Sequence, residues 1–263
     1  MRMALILSVV NQKGGVGKTT TAVNLGAYLA RQGKFVLLVD LDPQCNATSN
    51  LGHDHHAIEK GVYEAITGQA DFRDIIVPTT IEGYRLAPAT PNLAGASVEL
   101  VGAERREFKL ADAMMGIRHD YDFIIIDSPP SLGLLTVNGL IAADQVLIPV
   151  QAEYFALEGL SALMKTIDLV KEHVKPELSV LGAVITMFDG RNKLSNEVMA
   201  ELYKYFPDKI FRSAVPRNVR LAEAPSYGKS IIDYDPGSKG AKAYERLAEE
   251  VIAAVEKTEL AAV

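Results

Sequence analysis

The chain has 263 residues, 48% of them hydrophobic and 23% charged, which is ordinary for a globular protein with a sizeable core. Its single cysteine, Cys45, excludes a disulfide framework and a cysteine-ligated metal cluster, and it suits a reducing cytoplasm. The formal net charge of −6 argues only weakly against nucleic-acid binding, because binding depends on where lysines and arginines cluster.

Short apolar runs alternate with segments of helical apolar spacing along the chain. The runs predict strands buried on both faces of a sheet: Leu5–Val10, Phe35–Asp40, Phe123–Asp127, Gln145–Pro149, Leu181–Met187 and, more weakly, Ile210–Ala214. The helical segments are Lys18–Gln32, Glu158–His173, Asn196–Tyr205 and Lys239–Lys257. This alternation predicts one α/β domain with a doubly wound, mostly parallel sheet and helices on both faces. Between Leu51 and Met115 the pattern is less regular.

A glycine-rich segment joins the first predicted strand to the first predicted helix. It reads Lys13-Gly14-Gly15-Val16-Gly17-Lys18-Thr19-Thr20. A strand, a glycine-rich turn, Gly-Lys-Thr and a helix are the context of a phosphate-binding P-loop. The glycines let backbone N–H groups approach the phosphates, and the helix N-terminus adds a favourable partial charge. We expect Lys18 to reach the β- and γ-phosphates of ATP and the Thr19 hydroxyl to ligate Mg²⁺.

The loop departs from the common P-loop pattern at its start. Gln12 stands where the pattern has its first glycine, and Lys13 follows it. A second lysine adds a charge that Lys18 already supplies to its own nucleotide. It is either a solvated loop residue or a group that acts on another phosphate.

Three aspartates follow predicted strands. Asp40 and Asp42 lie two residues apart at the end of the second run, where a metal ion or an attacking water could be positioned. A strand-to-loop turn would explain this pair if it stood alone, but the neighbouring P-loop favours the functional interpretation. Asp127 ends an apolar strand and is followed by Ser128-Pro129-Pro130, the pattern of a Walker B carboxylate that binds Mg²⁺ through water.

Two further loops follow the last predicted strands. Met187 comes after the fifth run, and Pro216, Arg217 and Asn218 come after the sixth, so these residues are placed to line an adenine pocket. The signal is weak, because most strand-end loops carry such residues for reasons of turn geometry.

A basic cluster lies near the C-terminus. Between residues 208 and 229 five cations face two anions, a local charge of +3; the cations are Lys209, Arg212, Arg217, Arg220 and Lys229, and the anions are Asp208 and Glu223. Arg191 and Lys193 lie just upstream. Such a cluster can contact the phosphate backbone of DNA, or it can be a solvated face held by salt bridges, and charge alone leaves the two interpretations even.

Four motifs together resemble the ParA/Soj partition ATPases of the deviant Walker A superfamily. They are K-G-G-V-G-K-T-T (13–20), D-L-D-P-Q (40–44), F-I-I-I-D-S-P-P-S-L-G (123–133) and V-P-R-N-V-R-L-A-E-A-P-S-Y-G-K (215–229). The resemblance covers almost the whole chain. It implies an ATPase that uses ATP and Mg²⁺, forms a homodimer with ATP, binds non-specific double-stranded DNA and answers to a ParB/Spo0J-like centromere-binding protein.

The resemblance also implies roles for individual residues at the nucleotide. Lys18 and Thr19 would hold phosphate and Mg²⁺, and Lys13 would cross a sandwich dimer to the partner's nucleotide. Asp42 would orient the attacking water. Asp40 and Asp127 would support the metal and its waters.

For DNA, the resemblance implies contacts by Arg191 and Arg220, with Lys229 as a companion. One departure from the family is Cys45, since relatives usually carry glycine at that position of D-P-Q-G-N. The substitution removes no catalytic group but bears on the flexibility of the loop after Asp42.

Two alternatives stay open. A P-loop synthetase or kinase that acts on a small metabolite would share the nucleotide motifs, and so would a nucleotide-gated scaffold that positions other cargo. Membrane targeting of the MinD type is not expected, because the tail from Glu249 to Val263 has one cation, Lys257, against four acids. We therefore expect a cytoplasmic, nucleoid-associated protein.

Overall fold

The computed structural model of the chain describes residues 3–153, 156–207 and 209–261. In this part of the chain the strands are β1 Leu5–Val9, β2 Val36–Asp40, β3 Val77–Pro78, β4 Tyr84–Ala87, β5 Phe123–Asp127, β6 Gln145–Gln151 and β7 Ser179–Thr186. The helices are α1 Lys18–Arg31, α2 Asn46–Asn50, α3 Val62–Ile66, α4 Leu93–Glu99, α5 Lys109–Met114, α6 Leu134–Ala142, α7 Ala156–His173, α8 Lys193–Tyr205, α9 Val219–Glu223, α10 Ile231–Tyr234 and α11 Lys239–Ala261. None of the helices described is both long enough and apolar enough to cross a membrane.

The seven strands form one twisted sheet in the order β3-β4-β2-β5-β1-β6-β7. All neighbouring pairs are parallel except β3 and β4, whose pairing is antiparallel at the edge. The predicted α/β fold with a mostly parallel sheet is therefore confirmed. The chain leaves β1 toward β2 on one side and later adds β6 on the other, so β1 lies at the switch point where such sheets bind ligands.

Helices cover both faces of the sheet, and each face has its own apolar core. One core lies under α1 and α11 and contains Leu25, Leu29 and Tyr244. The other lies under α6, α7 and α8 and contains Leu140 and Leu163. The buried strands of such a sheet are continuous apolar runs because both faces are covered, which is why β2 and β5 stand out in the sequence.

The predicted strand at Ile210–Ala214 is wrong. The segment makes only an isolated parallel bridge between Ile210 and Ala183, followed by a second bridge between Pro216 and Phe188. Two consecutive amides, those of Arg212 and Ser213, instead donate to the carboxylate of Glu250 on α11, at 2.7 and 2.9 Å. A strand beside β7 would need the intervening residues in extended ladder geometry, and this capture by Glu250 interrupts it.

The strand ends bring the predicted site together. In the register of the sheet Asp40 lies beside Asp127, and Val9 lies beside Asp127 on the other side. The P-loop leaves β1 at this edge. Because β1, β2 and β5 end at the same level, the loops that follow them meet in one crevice.

One glycine of α1 is required by packing. A Cβ on Gly26 would lie 2.5 Å from the hydroxyl oxygen of Tyr84 and 2.7 Å from its ring, and Tyr84 is fully buried. Glycine to alanine inside a helix normally stabilises by about 1 kcal/mol. Here overpacking should reverse the sign, so we expect Gly26→Ala to lower the free energy of unfolding by about 1–3 kcal/mol.

Urea unfolding monitored by circular dichroism checks this expectation. Gly95→Ala in α4 is the matched control, because nothing lies within 4 Å of its added Cβ. It should leave stability unchanged or raise it. Equal effects of the two substitutions would contradict the packing argument.

Candidate nucleotide site

The glycine-rich loop curls over the N-terminus of α1. Gly15 and Gly17 have φ of +73° and +86°, left-handed values that favour glycine, and Gly17 is the residue before the first turn of α1. The Thr186 hydroxyl donates to the carbonyl of Val16 at 2.7 Å, which ties the loop to the end of β7. The loop therefore has a fixed conformation that presents backbone N–H groups and a helix N-terminus to an anion.

The two lysines of the loop have different partners. Lys18 is buried, and its Nζ donates to the carbonyl of Lys13 at 3.1 Å. Burial lowers the pKa of Lys18, although the carboxylates of Asp127 and Asp42 oppose the shift. The Lys13 Nζ instead reaches Glu153 at 3.0 Å, on the loop after β6. Lys18 is thus directed into the crevice, and Lys13 is held at its half-exposed margin.

Asp40 is a fully buried carboxylate with several hydrogen bonds. Its Oδ2 accepts from the backbone N–H and the hydroxyl of Thr48, at 2.8 and 2.7 Å, and its Oδ1 accepts from the backbone N–H of Asp42 at 3.2 Å. Burial raises the pKa of Asp40 to about 6, and the bonds from Thr48 limit the rise. Asp40 therefore organises the loop between β2 and α2.

Asp127 is also fully buried, but neither of its carboxylate oxygens has a hydrogen-bond partner among the described residues. Burial raises its pKa well above the ordinary value, with Asp40 adding to the effect. The Thr19 hydroxyl lies near enough to oppose the rise, although it does not complete a hydrogen bond. A buried carboxylate with both oxygens unsatisfied has an unmet need for a cation.

These groups fit Mg²⁺ bound together with a nucleotide. No cluster of three histidine, cysteine or acidic side chains suited to a metal occurs in the described parts of the chain. Mg²⁺ commonly takes one or two protein ligands and completes its octahedron with water and phosphate oxygens. Thr19 would supply its hydroxyl and Asp127 would bind the metal's waters. Asp40 lies beside Asp127 on the neighbouring strand and adds negative charge to the site.

Asp42 is the second residue of the loop after β2. Its Oδ1 accepts from the backbone N–H of Gln44 at 3.0 Å, and its carbonyl accepts from the N–H of Cys45 at 2.9 Å. Cys45 has φ of +54°, a left-handed conformation that L residues with a Cβ rarely adopt. This backbone explains why glycine is the residue expected there: Cys45 adopts a conformation that glycine adopts without cost.

A cavity of about 250 Å³ opens beside the P-loop. Its lining includes all four residues predicted for the adenine pocket and two residues of the P-loop. These are Met187, Pro216, Arg217 and Asn218, and Gly17 and Thr20. Met187 has φ of +51°, so β7 ends at Thr186 and the chain turns sharply there. The cavity adjoins the loop that would hold phosphates, so its position is compatible with the predicted adenine pocket.

The sequence analysis missed several side chains at this site. Thr48 and Glu153 are the partners of Asp40 and Lys13, and Leu221 and Tyr244 line the cavity beside the P-loop. Thr186 lies within a predicted strand, so its position at the sheet's carboxyl edge was a usable signal. Glu153 and Tyr244 carry no local pattern, because only the tertiary fold brings them to the site.

The residues predicted to contact DNA lie on neighbouring turns at the same end of the sheet. The turn with Arg191 follows β7, and Arg220 lies on α9 after the bridge between Phe188 and Pro216. Lys229 follows in the next turn and is exposed. Asp208, one of the acids counted in the basic cluster, lies outside the described residues.

Both arginines are paired within the chain. Arg191 is 91% exposed and binds Asp189 through Nη2 at 2.9 Å, and Arg220 is 54% exposed and binds Glu223 at 2.9 Å and Asp235 at 3.3 Å. Among the described residues Arg217 and Lys229 form no ion pair. The surface thus holds cations whose carboxylate partners are solvent-accessible and exchangeable.

A doubly wound sheet with this loop after its first strand and carboxylates after the two neighbouring strands defines a P-loop nucleoside triphosphatase. Residues 4–180 match a family described as an AAA domain. The chain is 55% identical over 251 residues to the sporulation initiation inhibitor protein Soj of Bacillus subtilis, covering 95% of this chain and 99% of that protein. It is 51% identical over 247 residues to the chromosome partitioning protein ParA of Myxococcus xanthus, covering 94% and 87%.

The chain therefore belongs to the Soj/ParA family of chromosome-partitioning ATPases, which confirms the family and the enzyme class predicted from the motifs. A solved structure with a TM-score of 0.84 and 38% identity is named cobyrinic acid a,c-diamide synthase, from Mycobacterium smegmatis, and carries a bound ATP analogue and magnesium. The match covers 95% of this chain and 94% of the synthase chain.

The unsatisfied carboxylate of Asp127 should destabilise the protein without metal and contribute to its stabilisation by Mg·ATP. Its folded-state pKa is raised above the unfolded value, so ionisation costs stability as the pH rises. At neutral pH and without metal, Asp127→Asn should raise the free energy of unfolding by about 1–3 kcal/mol. The same change should abolish most of the stabilisation that Mg·ATP gives the parent.

Thermal unfolding with and without Mg·ATP tests both halves. The control is Asp144→Asn, because Asp144 is satisfied by the N–H of Ile6 and by Arg118, at 2.9 and 2.7 Å. That variant should lose stability and keep its response to Mg·ATP. Destabilisation of metal-free Asp127→Asn would overturn the assignment.

Proposed function

We propose that this protein is a DNA-partition ATPase that works as an ATP-dependent sandwich dimer. Two copies would enclose their nucleotides, and each Lys13 would reach the phosphates of the other copy. The closed dimer would bind non-specific double-stranded DNA through Arg191, Arg220 and Lys229 of both protomers. A ParB/Spo0J-like centromere-binding protein would stimulate hydrolysis and release the dimer from the nucleoid.

The observation that carries this proposal is the division of labour between the two loop lysines. Lys18 is buried over the crevice, whereas Lys13 has its ammonium at the half-exposed margin, against Glu153. A lysine directed away from its own nucleotide has a use if a second nucleotide approaches from outside. There it would neutralise charge that develops during phosphoryl transfer, as an arginine finger does in other triphosphatases.

The hydrolytic step needs a positioned water. Asp42 is nearly buried at the start of the loop after β2, and its backbone is fixed by Asp40. We assign it the role of orienting the attacking water toward the γ-phosphate. Mg²⁺, when bound, neutralises the phosphate oxygens, while Lys18 and the loop amides hold them in place.

DNA binding is supported by the arrangement of the cations. The pairs that hold Arg191 and Arg220 lie at the surface, where ion pairs contribute about 0–1 kcal/mol. Exchange of a carboxylate for a DNA phosphate therefore costs little. Dimerisation doubles the number of phosphate contacts, which makes affinity rise steeply with ATP.

The experiment that tests the proposal is binding of non-specific duplex DNA with ATP, with ADP and without nucleotide. We expect binding with ATP alone. Three cations from each of two protomers would release about six counterions, so affinity should fall roughly 10³-fold between 50 and 200 mM salt. No binding in any nucleotide state would overturn the partition proposal.

A substitution at Arg220 separates DNA binding from hydrolysis. Arg220→Ala should weaken ATP-dependent DNA binding at least about tenfold and leave basal ATPase activity unchanged, because the side chain lies outside the nucleotide cavity. Arg73→Ala is a matched control: Arg73 is 55% exposed and paired with Asp120 at 2.6 Å. It should bind DNA like the parent. Equal DNA affinity of the two variants would remove Arg220 from the interface.

A second candidate is a P-loop synthetase that acts on a metabolite, because one similar solved structure bears the name of a diamide synthase. Such an enzyme turns over steadily once its acceptor substrate is present and needs no partner protein or DNA. The partition proposal instead expects very low basal turnover. Measurement of ATP hydrolysis by the isolated protein distinguishes them, since rapid turnover with a small acceptor would favour the synthetase.

A further inference from the structure

One segment of the proposed DNA surface is fixed directly to the nucleotide site. Residues 224–231, called here the 224–231 segment, carry Lys229 and follow the helix that carries Arg220. The segment turns at Gly228, whose φ is +62°, and the N–H of Lys229 donates to the carbonyl of Ala224 at 3.2 Å. Its conformation therefore sets where Lys229 lies.

The first attachment is a contact between two backbones. A Cβ on Gly228 would lie 2.7 Å from the Cα of Gly52 and 3.2 Å from its nitrogen, and a Cβ on Gly52 would lie 3.1 Å from the carbonyl oxygen of Gly228. No side chain stands between the two segments. Closely packed contacts of this kind transmit small displacements because they have little room to absorb them.

Gly52 lies two residues after the end of α2, and α2 is anchored at the other end of the site. Thr48 of α2 donates twice to the carboxylate of Asp40, through its N–H and its hydroxyl. The loop with Asp42 leads into this helix. A movement of that loop toward or away from the nucleotide must therefore move α2, and with it the contact at Gly228.

The second attachment is made by Asn24 of α1, the helix that begins in the P-loop. Its Oδ1 accepts from the backbone N–H of Ile231 at 2.7 Å, and its Nδ2 donates to the carbonyl of Thr20 at 2.8 Å. Asn24 is buried. The 224–231 segment is thus held by the helix that would bind phosphate and by the helix that follows the water-orienting loop.

We propose that Gly52, Gly228 and Asn24 are positioning residues that couple the state of the nucleotide to the placement of the DNA-binding 224–231 segment. The part that concerns DNA rests on the proposed function. Two elements respond to the nucleotide at one end and contact the same segment at the other. A sub-ångström shift in either one changes where Lys229 points, which is how packed elements convert small changes at a site into a switch.

The decisive variant is Gly228→Ala, which inserts a methyl group into the contact between the backbones. Gly33→Ala is the matched control, because Gly33 has φ of +81° and nothing within 4 Å of its added Cβ. Both variants therefore carry the backbone strain of alanine at positive φ, and only one collides with Gly52. A second pair examines the other attachment. Asn24→Ala removes both the acceptor of the Ile231 N–H and the donor to Thr20, whereas Asn24→Asp keeps the acceptor and loses only the donor.

The first measurement is hydrogen exchange of the 224–231 segment without nucleotide and with a non-hydrolysable ATP analogue and Mg²⁺. We expect the nucleotide to change exchange in the parent and in Gly33→Ala, and this change to be lost in Gly228→Ala at full nucleotide occupancy. The second measurement is DNA affinity with the analogue, which should be about tenfold weaker in Gly228→Ala than in Gly33→Ala. A merely structural role would leave the nucleotide-dependent difference in place.

Each outcome decides a separate question. If exchange in the parent is the same with and without nucleotide, or if Gly228→Ala keeps the parent's response, the coupling is overturned even where DNA binds. If the coupling is present but the parent binds no DNA in any state, the coupling stands and the partition function fails. If Gly228→Ala does not fold, Asn24→Ala decides: the coupling predicts a lost response, restored in Asn24→Asp, and a response retained in Asn24→Ala would overturn it.

Discussion

The rest of the site depends on the burial of like charges at the ends of two neighbouring strands. Asp40 and Asp127 lie side by side in the sheet, and both are inaccessible to water. Removing a carboxylate from water is costly unless a partner replaces the solvent. Asp40 has such partners in Thr48 and the backbone of Asp42, but Asp127 has none in the part of the chain that the structure describes. The unpaired buried carboxylate lowers the stability of the ligand-free protein, and a divalent cation bound with a nucleotide would compensate its charge. Ligand binding and stability are therefore linked.

Much of the fold was predictable because parallel strands buried on both faces leave a simple signal. β2 and β5 are continuous apolar runs that end in aspartate, so both the strands and the carboxylates could be found from the sequence. The edge strands β3 and β4 could not be predicted from the sequence. β3 has two residues and β4 has four, and Arg85 of β4 is exposed, so their pattern is too short to separate from a loop. The wrong strand at Ile210–Ala214 has an apolar composition, but Glu250 takes its amides from nearly 40 positions away.

The candidate site divides in the same way. The P-loop lysine, its threonine and the aspartates follow from motifs in which local sequence dictates local geometry. Thr48, Glu153 and Asn24 do not, because each acts on a residue that lies far away or on another element. Their side-chain types are common in helices and turns. Only the packing of elements gives them a role, which no single-sequence pattern records.

Cys45 shows how a departure from a family pattern can be absorbed. A left-handed backbone costs a residue with a Cβ of order 1 kcal/mol relative to glycine. The side chain recovers part of this cost, because it is buried in the core beneath the loop and its Sγ contacts the carbonyl of Pro43 at 3.4 Å. Burial also raises the pKa of the thiol to about 12, so it is uncharged beside Asp40 and Asp42. Compared with glycine, Cys45 makes the left-handed backbone more costly and adds packing to the loop that carries Asp42.

Three of the four cations proposed to act outside their own nucleotide site share one further property, and Lys229 is the exception. Lys13 is held by Glu153, Arg191 by Asp189, and Arg220 by Glu223 and Asp235. In each case the partner is a half-exposed carboxylate of the same chain, so these three cations are neutralised in the isolated protomer. A phosphate that arrives from another protomer or from DNA replaces one anionic oxygen by another. Such an exchange needs little net desolvation, so weak contacts can form and break with the nucleotide state. The overall affinity then depends on how many such contacts form at the same time.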